Sequence, residues 1–281
     1  MVTPGALLLP VWEDRNQAVI AHRNADGSVW AHSYAADGEQ WMRLPGIASF
    51  RFGSREGEAV AVPEPGAATE LIVDAYQRAV LPMALHANGH EVIHASAVII
   101  TKHVVALCGP SKIGKSTTAY GLHRRGHRVW ADDALVFETA GDRVRAIPYP
   151  HRLRIRAQAA EFFGLHELEG REESNWDEPE QAQTEPAPLG AIFLLERQEA
   201  DVTSRVQAVR ISAGEAFPAL LGNGYWFRLQ DPERRRRTIE RYLTVSTQVP
   251  VFRISFRASL DQLSATLDCI ESSIQGTLTA S

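Results

Sequence analysis

Short segments of alternating hydrophobic and polar residues fill the N-terminal part of the chain. The segments AVIAHR, SVWAHSYA and FRFG are rich in aromatic and β-branched residues. Asp-Gly or Glu-Gly pairs stand between or beside them at residues 26–27, 37–38 and 56–57. This pattern is typical of strands joined by tight turns. The sequence PEPG at residues 63–66 interrupts it, so we predict a small β-rich domain over residues 1–66.

The spacing of apolar residues becomes helical over residues 67–89. Apolar side chains recur three or four positions apart, which predicts a helix that ends at Asn88-Gly89. The positions that carry this spacing are Leu71, Ile72, Ala75, Ala79, Val80 and Met83. We assign this helix as the lead-in of a second domain, residues 67–281.

The central part of the chain reads as strand, loop, helix and strand. VIHASAVII predicts one strand, Lys102-His103 a turn, and VVALCG a continuously apolar, buried strand. KSTTAYGLHRR then predicts a helix closed by Gly126, and HRVWADD a strand that ends in two carboxylates. LVFETAGDRVRAI predicts one further strand. This order favours an α/β domain in which helices flank a mixed sheet.

The last hundred residues predict an insertion followed by core elements. Residues 166–188 hold eight acidic residues and one arginine, and we expect a flexible surface insertion there. GAIFLLER predicts a core strand that starts at Gly190. Helices are predicted at residues 213–221 and 234–245, VPVFRISF as a late strand, and SLDQLSATLDCIESSI as an amphipathic terminal helix.

Composition and charge narrow the function classes. The chain has 281 residues, of which 29 are Lys or Arg and 34 Asp or Glu, and its formal net charge of −5 argues against general binding to nucleic acid. No apolar run approaches the ~20 residues that would span a membrane. The N-terminus lacks the basic segment of a signal peptide, so we expect a cytoplasmic protein. Two cysteines cannot form a disulfide framework or a four-thiolate metal site.

A glycine-rich loop carries the most specific chemistry in the sequence. Residues 109–116 match G-x-x-x-x-G-K-[ST] between an apolar strand and a helix, the context that a phosphate-binding P-loop requires. We expect the loop amides to bind nucleotide phosphates, Lys115 to reach the β- and γ-phosphates, and the Ser116 hydroxyl to ligate Mg²⁺. The chain contains only three lysines, and two of them lie in this loop. The predicted nucleotide-binding residues are Gly109, Pro110, Ser111, Lys112, Ile113, Gly114, Lys115, Ser116 and Thr117.

Two adjacent carboxylates define the class of P-loop protein. Asp132 and Asp133 follow Lys115 by 17 and 18 residues, at the end of the next predicted strand. This spacing brings both acids beside the γ-phosphate, so one can face the metal while the other accepts a proton from an incoming hydroxyl. A guanine-reading Asn-Lys-x-Asp motif is excluded because no lysine follows Lys115. If the two strands are neighbours, the imidazole of His94 could orient the acid pair.

The segment IGKSTTAYGLHRRGHRVWADD resembles the HPr serine kinase/phosphorylase family. The likeness extends to His94-Ala95-Ser96-Ala97-Val98, which is similar to that family's histidine-bearing strand. It implies a P-loop kinase domain of HPr-kinase type that uses ATP and Mg²⁺, in which Asp132 is the catalytic acid/base and Asp133 supports the metal. It also implies that His94 contacts Asp132, and it suggests a homo-oligomer.

The departures from that family point to a different acceptor. Lys112 occupies a position that is usually glycine, which is costly if φ is positive there. Arg154 and Arg156 lie in LRIR, where the family has a metal-facing glutamate, and we expect them to contact phosphate or acceptor. The chain looks more like the HPr-kinase-like proteins of ribosomal-peptide clusters, including lasso-peptide ones, which implies a serine hydroxyl of a peptide or protein as acceptor. A regulatory nucleotide-binding module without transfer activity and a kinase for a small-molecule hydroxyl stay open.

Overall fold

A computed structural model of the chain describes most of its residues, and these form two compact units. The first unit comprises Met1–His90 and Tyr225–Arg234, and the second comprises Glu91–Gly224 and Arg235–Ser281. Residues 67–90, which we assigned to the second domain, therefore lie in the first unit. The described residues are 2–4, 20–23, 26–36, 39–53, 59–141, 143–165, 173–176, 185–198, 205–226, 232–257 and 259–278.

The first unit is a β-sheet with helices packed on it. The sheet order is β1-β6-β5-β4-β3-β2, and every pairing is antiparallel except that of β1 with β6. Apolar side chains of the sheet, such as Phe50 and Met42, pack against Ile72 and Val80 of the helical segment. The elements are β1 (Val2–Pro4), β2 (Ile20–Arg23), β3 (Val29–Ala36), β4 (Glu39–Leu44), β5 (Ala48–Gly53), β6 (Ala59–Pro63), α1 (Thr69–Ala75), a π-turn (Tyr76–Val80) and α2 (Leu81–Ala87).

The second unit is built on a mixed sheet. Its main path is β10-β8-β9-β15-β12-β11-β7, and β17 pairs with both β15 and β16. The strands are β7 (Glu91–Ile93), β8 (Ala95–Ile100), β9 (His103–Cys108), β10 (Arg128–Ala131), β11 (Leu135–Ala140), β12 (Arg143–Ile147), β13 (Leu153–Arg156), β14 (Glu173–Trp176), β15 (Ala187–Arg197), β16 (Gln207–Arg210) and β17 (Val251–Phe256). The helices are α3 (Lys115–Arg124), α4 (Ala157–Phe162), α5 (Ala213–Gly222), α6 (Pro232–Gln248) and α7 (Leu263–Leu278), the last preceded by a 3-10 turn (Leu260–Gln262).

Helices cover both faces of this sheet and bury its central strands. The β9, β15 and β17 strands run parallel, and their side chains alternate between two apolar clusters. One cluster includes residues of α3, α4 and α7, and the other includes residues of α5 and α6. Because β9 is buried on both faces, its carboxyl end is a fixed platform for the loop that follows it. No helix within the described ranges combines the length and apolarity that a membrane span needs.

Most predicted elements are present, and several boundaries differ. The buried strand, the helix after the loop and the strand ending before Asp132 are confirmed. The four elements predicted after residue 212 (two helices, a strand and a terminal helix) are confirmed as well. The prediction of a single strand in VIHASAVII is wrong, since the chain changes direction at His94 and forms β7 and β8. LVFETAGDRVRAI forms a hairpin, β11 and β12, rather than one strand. The turn before β9 is at Thr101-Lys102, where both residues have positive φ. The core strand begins at Ala187 instead of Gly190.

Part of the acidic insertion belongs to a strand pair. Residues 173–176 form β14, which pairs antiparallel with β13, so the expectation of an insertion without packed structure over all of 166–188 is wrong. The N-terminal turn at residues 26–27 is present. The turns expected at 37–38 and 56–57, and the rest of the acidic segment before residue 185, lie outside the described residues.

A close approach of two strands makes one glycine necessary for stability. A Cβ atom at Gly190 of β15 would lie 2.6 Å from the Cβ of His103 on β9. Neither strand can move away without disturbing its other neighbours, so we expect Gly190→Ala to lower the free energy of unfolding by about 1–3 kcal/mol. Chemical denaturation followed by circular dichroism measures this loss. The matched control is Gly214→Ala on α5, where an added Cβ meets nothing within 4 Å; an equal effect of both substitutions would contradict the prediction.

Candidate active site

The loop between β9 and α3 has the backbone conformation of an anion-binding nest. Lys112 and Gly114 have positive φ values of 68° and 118°, whereas the φ of Ile113 between them is not positive. Alternation of left- and right-handed residues turns successive N–H groups toward one point, and helix α3 begins directly afterwards at Lys115. Lys112 meets the condition under which a non-glycine residue is costly here, and a lysine with this φ carries about 1–2 kcal/mol of backbone strain.

Gly109 places the start of the loop against the end of β15. Its φ is 145°, and a Cβ atom would lie 3.0 Å from the carbonyl oxygen of Leu195 and 3.3 Å from Cγ2 of Ile113. A side chain at this position would push the loop away from the sheet. Glycine at this position therefore allows the loop to pack closely against the end of β15.

Lys115 bends back over the first part of the loop. Its ammonium group donates hydrogen bonds to the carbonyl oxygens of Gly109, at 2.9 Å, and of Pro110, at 3.1 Å. The residue is 6% exposed, and burial lowers the pKa of its side chain below the usual value. A buried cation next to the nest of main-chain N–H groups makes this loop strongly attractive to an anion.

Asp132 lies beside the helix end of the loop and accepts three hydrogen bonds. Its Oδ1 accepts from the hydroxyls of Ser96, at 2.5 Å, and Ser116, at 2.9 Å, and its Oδ2 accepts from the main-chain N–H of Arg154, at 3.0 Å. The residue is 3% exposed. Burial, together with the charge of Asp133, raises the pKa of Asp132 to about 6. The structure thus brings together Ser116 and Asp132, two residues that the sequence analysis singled out for different roles.

Two contributors to this arrangement were missed from the sequence. Ser96 on β8 orients the Asp132 carboxylate, and β8 lies between β9 and β10 in the sheet. The hydroxyl of Tyr149 is 2.9 Å from the carbonyl oxygen of Asp132 and 2.6 Å from that of Ala134, so its single proton is shared between them. It braces the tight turn at Asp133, whose φ is 62°. Ser96 follows His94 by two positions, and this spacing was the signal that could have found it.

His94 stands at the break between β7 and β8, next to the start of the loop. Its main-chain N–H donates to the carbonyl oxygen of Asn223 at 2.7 Å. Burial, and then the charge of Lys115, lowers the pKa of His94 to about 4, against the opposing charge of Asp133. The imidazole is therefore neutral near pH 7. Its expected contact with Asp132 stays a prediction, as does the role of Asp133 toward the metal.

The two arginines of β13 differ in their relation to the site. Leu153 and Ile155 are buried against α3 and its neighbours, so Arg154 and Arg156 alternate with them along the strand. Arg154 is half-buried, and its main chain touches Asp132. Arg156 is exposed two positions further along, directly before α4. The structure brings the backbone of Arg154, but not that of Arg156, into direct contact with the acid.

The residues present fit Mg²⁺ shared with a substrate. The Ser116 hydroxyl is a hard oxygen donor of the kind that Mg²⁺ prefers, and the carboxylate of Asp133, whose charge acts on both Asp132 and Lys115, supplies a second at the same site. Within the described part of the chain, no three His, Cys, Asp or Glu side chains are grouped closely enough to hold a metal by themselves. Magnesium commonly binds with one or two protein oxygens and completes its shell with substrate phosphates and water.

The similarity of this chain to known proteins is distant. No protein-family model matches the chain, and no curated protein matches it. The solved structure of the Hpr(Ser) kinase/phosphatase from Coxiella burnetii is similar, with 16% sequence identity and a TM-score of 0.35. The similarity covers 67% of this chain and 95% of that one. The function therefore has to be argued from the site itself.

Proposed function

We propose that this chain is an ATP-dependent kinase of the HPr-kinase-like class that transfers the γ-phosphoryl group to a serine hydroxyl of a peptide or protein. The observation that carries the proposal is the hydrogen bond between Ser116 of the loop and Asp132 at the end of β10. This bond links the phosphate-binding loop directly to a buried carboxylate. A buried carboxylate beside the loop supports the proposal because it can accept the proton of a hydroxyl that attacks a phosphate bound there.

Each residue of the cluster has a role in the proposed transfer. The loop amides and the ammonium of Lys115 bind and neutralise the phosphate chain, which favours the charge that spreads over the transferring group. Ser116 and Asp133 would hold Mg²⁺, which would neutralise phosphate charge when bound. Asp132 accepts the proton of the serine hydroxyl as the new O–P bond forms and the bond to the β–γ bridging oxygen breaks. Neutral His94 and Ser96 keep Asp132 oriented.

Arg154 supplies a second positive charge, in addition to Lys115, at the phosphate end of the site. Its main-chain N–H donates to Asp132, so the arginine side chain begins next to the proposed proton acceptor. An arginine there would stabilise charge on the transferring group, as arginines do in other phosphoryl-transfer enzymes. We propose the same contact for Arg156, from further along β13.

A labelling experiment tests the proposal. The full chain is incubated with γ-³²P-labelled ATP, Mg²⁺ and a set of serine-containing peptides and proteins, including small precursor peptides encoded by neighbouring genes. We expect label on a serine of one polypeptide acceptor, identified by mass spectrometry. Label on a small-molecule hydroxyl would contradict the polypeptide acceptor, and nucleotide binding without transfer to any acceptor would contradict the kinase.

A second candidate is a regulatory nucleotide-binding module without transfer activity. The observation that favours it is the arginine pair on β13, at the place where the resembled family has a metal-facing glutamate. Such a module would bind MgATP tightly and leave it intact. Measuring ATP affinity and ATP consumption on the same preparation separates it from the kinase.

Ser96 gives a prediction that separates positioning from folding. We expect Ser96→Ala to slow transfer about 10–100-fold, because Asp132 loses one of the donors that orient it. Ser246→Ala is the control, since that serine is also buried and donates to a carbonyl, of Leu243, on α6. Both variants should lose about 1 kcal/mol of stability. Equal rates in the two variants would contradict the positioning role.

A further inference from the structure

A cavity of about 510 Å³ opens beside the phosphate loop. The loop forms one wall, the carboxyl end of β15 forms the floor, and the last turn of α5 forms the opposite wall. The volume lies within the ~300–1,000 Å³ that small-molecule sites occupy in proteins. The lining residues used below are Pro110, Ile113, Leu194, Arg197, Ala219 and Asn223.

The cavity and the acid cluster lie on opposite sides of β9. The sheet order is β10-β8-β9-β15, so Asp132 at the end of β10 is on one side of the loop and the end of β15 is on the other. A nucleoside triphosphate bound by the loop has its terminal phosphate at the acid cluster, where transfer occurs. Its nucleoside must then leave the loop in another direction, and the cavity beside β15 is open to receive it. Ligands of α/β sheets characteristically bind at the carboxyl ends of such parallel strands.

The walls of the cavity combine apolar surface with one tethered cation. Ile113, Leu194 and Ala219 present apolar atoms, which suit the faces of a heterocyclic base. A guanidinium nitrogen of Arg197 donates to the main-chain carbonyl of Lys112, so this exposed side chain is tied to the loop. A guanidinium held in place can stack on an aromatic ring at little further entropic cost.

The far wall is also held in shape. The side-chain amide of Asn223 donates to the carbonyl oxygen of Ala219 at 2.8 Å and closes the last turn of α5. The main-chain carbonyl of Asn223 accepts from the N–H of His94, which ties this wall to the start of β8. The cavity is therefore bounded by elements that other bonds already fix, which favours a built site over a surface crevice.

We propose that this cavity is the nucleoside subsite, which receives the base and ribose of the triphosphate, with Arg197 stacking on the base. This inference rests on the proposed function and extends it to the half of the nucleotide that the P-loop motif does not specify. Ala219 and Arg197 become the residues on which base recognition depends, and neither belongs to the phosphate-binding loop.

Two probes separate the cavity from the loop. Isothermal titration calorimetry measures the affinity of the full chain for ATP and for inorganic tripolyphosphate, each with Mg²⁺. Tripolyphosphate occupies the loop alone, whereas ATP uses loop and cavity, so we expect ATP to bind at least about tenfold more tightly. Ala219→Phe fills the cavity and should weaken ATP about tenfold, and Arg197→Ala should weaken it about fivefold. Ala219→Phe should leave tripolyphosphate affinity unchanged, and Arg197→Ala should weaken tripolyphosphate less than ATP, since only its bond to the loop is lost for tripolyphosphate. Arg210→Ala on β16 is the exposed arginine control.

The outcomes are distinguishable from failure of the kinase proposal. Equal wild-type affinity for ATP and tripolyphosphate would overturn the nucleoside subsite while leaving the phosphate loop intact. Loss of both ligands in equal measure in Ala219→Phe and Arg197→Ala would overturn it as well. Failure of the wild-type chain to bind either ligand would instead overturn the proposed function itself. Selective loss of ATP in both variants supports the inference.

Discussion

Replacing Asp132 by asparagine is expected to lower the rate of phosphoryl transfer by about 10³-fold while ATP affinity stays within about threefold. A general base contributes about 10²–10⁴ in rate, and an amide cannot accept the proton of the serine hydroxyl. The side chain keeps its size, so the loop beside it is preserved. Transfer of ³²P to the acceptor measures the rate, and calorimetry measures the affinity.

A matched control removes the effect of the substitution itself. Asp268→Asn makes the same chemical change on α7, where the carboxylate pairs with Arg125 and is well exposed. That variant should transfer phosphate at the wild-type rate. If Asp132→Asn also retained a rate within a few-fold of wild type, the assignment of Asp132 as proton acceptor would be wrong.

Replacing Lys115 by alanine is expected to weaken ATP about 100-fold and to abolish measurable transfer. Hydrogen bonds to a charged partner contribute about 1.5–3 kcal/mol each, and this ammonium is the buried cation of the loop. Because Lys115 donates to the carbonyls of Gly109 and Pro110, its loss also removes bonds that hold the start of the loop. Calorimetric titration with MgATP measures the affinity.

Lys102→Ala provides the comparison for Lys115→Ala. Lys102 is exposed in the turn between β8 and β9, at the other end of the strand that carries the loop. Its replacement removes the same charge without touching the nest, so we expect wild-type affinity. Comparable weakening in both variants would mean that overall charge, rather than the position of Lys115, attracts the nucleotide.

The parts of the site that lie close together in sequence were predictable. The loop, the helix after it and the pair of acids follow one another within 25 residues, and local rules of glycine conformation, helix start and strand end specify them. The expectation that the acids lie beside the loop came from a strand that returns directly after the helix, and Asp132 is found there.

The rest of the site depends on sheet order, which the local pattern does not encode. Ser96 and Asp132 are 36 positions apart, and the amide of Arg154 is 22 positions from the acid that it binds. These contacts exist because β8 lies between β9 and β10 and because β13 packs against α3. The apolar run from Val92 to Ile100 also concealed the break at His94, since both β7 and β8 are buried and neither shows alternation.

The division of the chain into units also depends on contacts between residues that are far apart in the sequence. Residues 225–234 return to the first unit from far along the sequence, and no composition change marks them. Arg234, for example, donates to the carbonyl oxygens of His86 and His90. The first of the four consecutive arginines at residues 234–237 is thus tied to the backbone of the first unit.

A crystal structure of the chain with Mg²⁺ and a non-hydrolysable ATP analogue is the most direct test of the central claim. The expected result is a triphosphate along the amides of residues 109–117, with its terminal phosphate beside the carboxylate of Asp132 and in contact with the ammonium of Lys115. A triphosphate bound elsewhere, or an Asp132 carboxylate turned away from the terminal phosphate, would contradict phosphoryl transfer at this site.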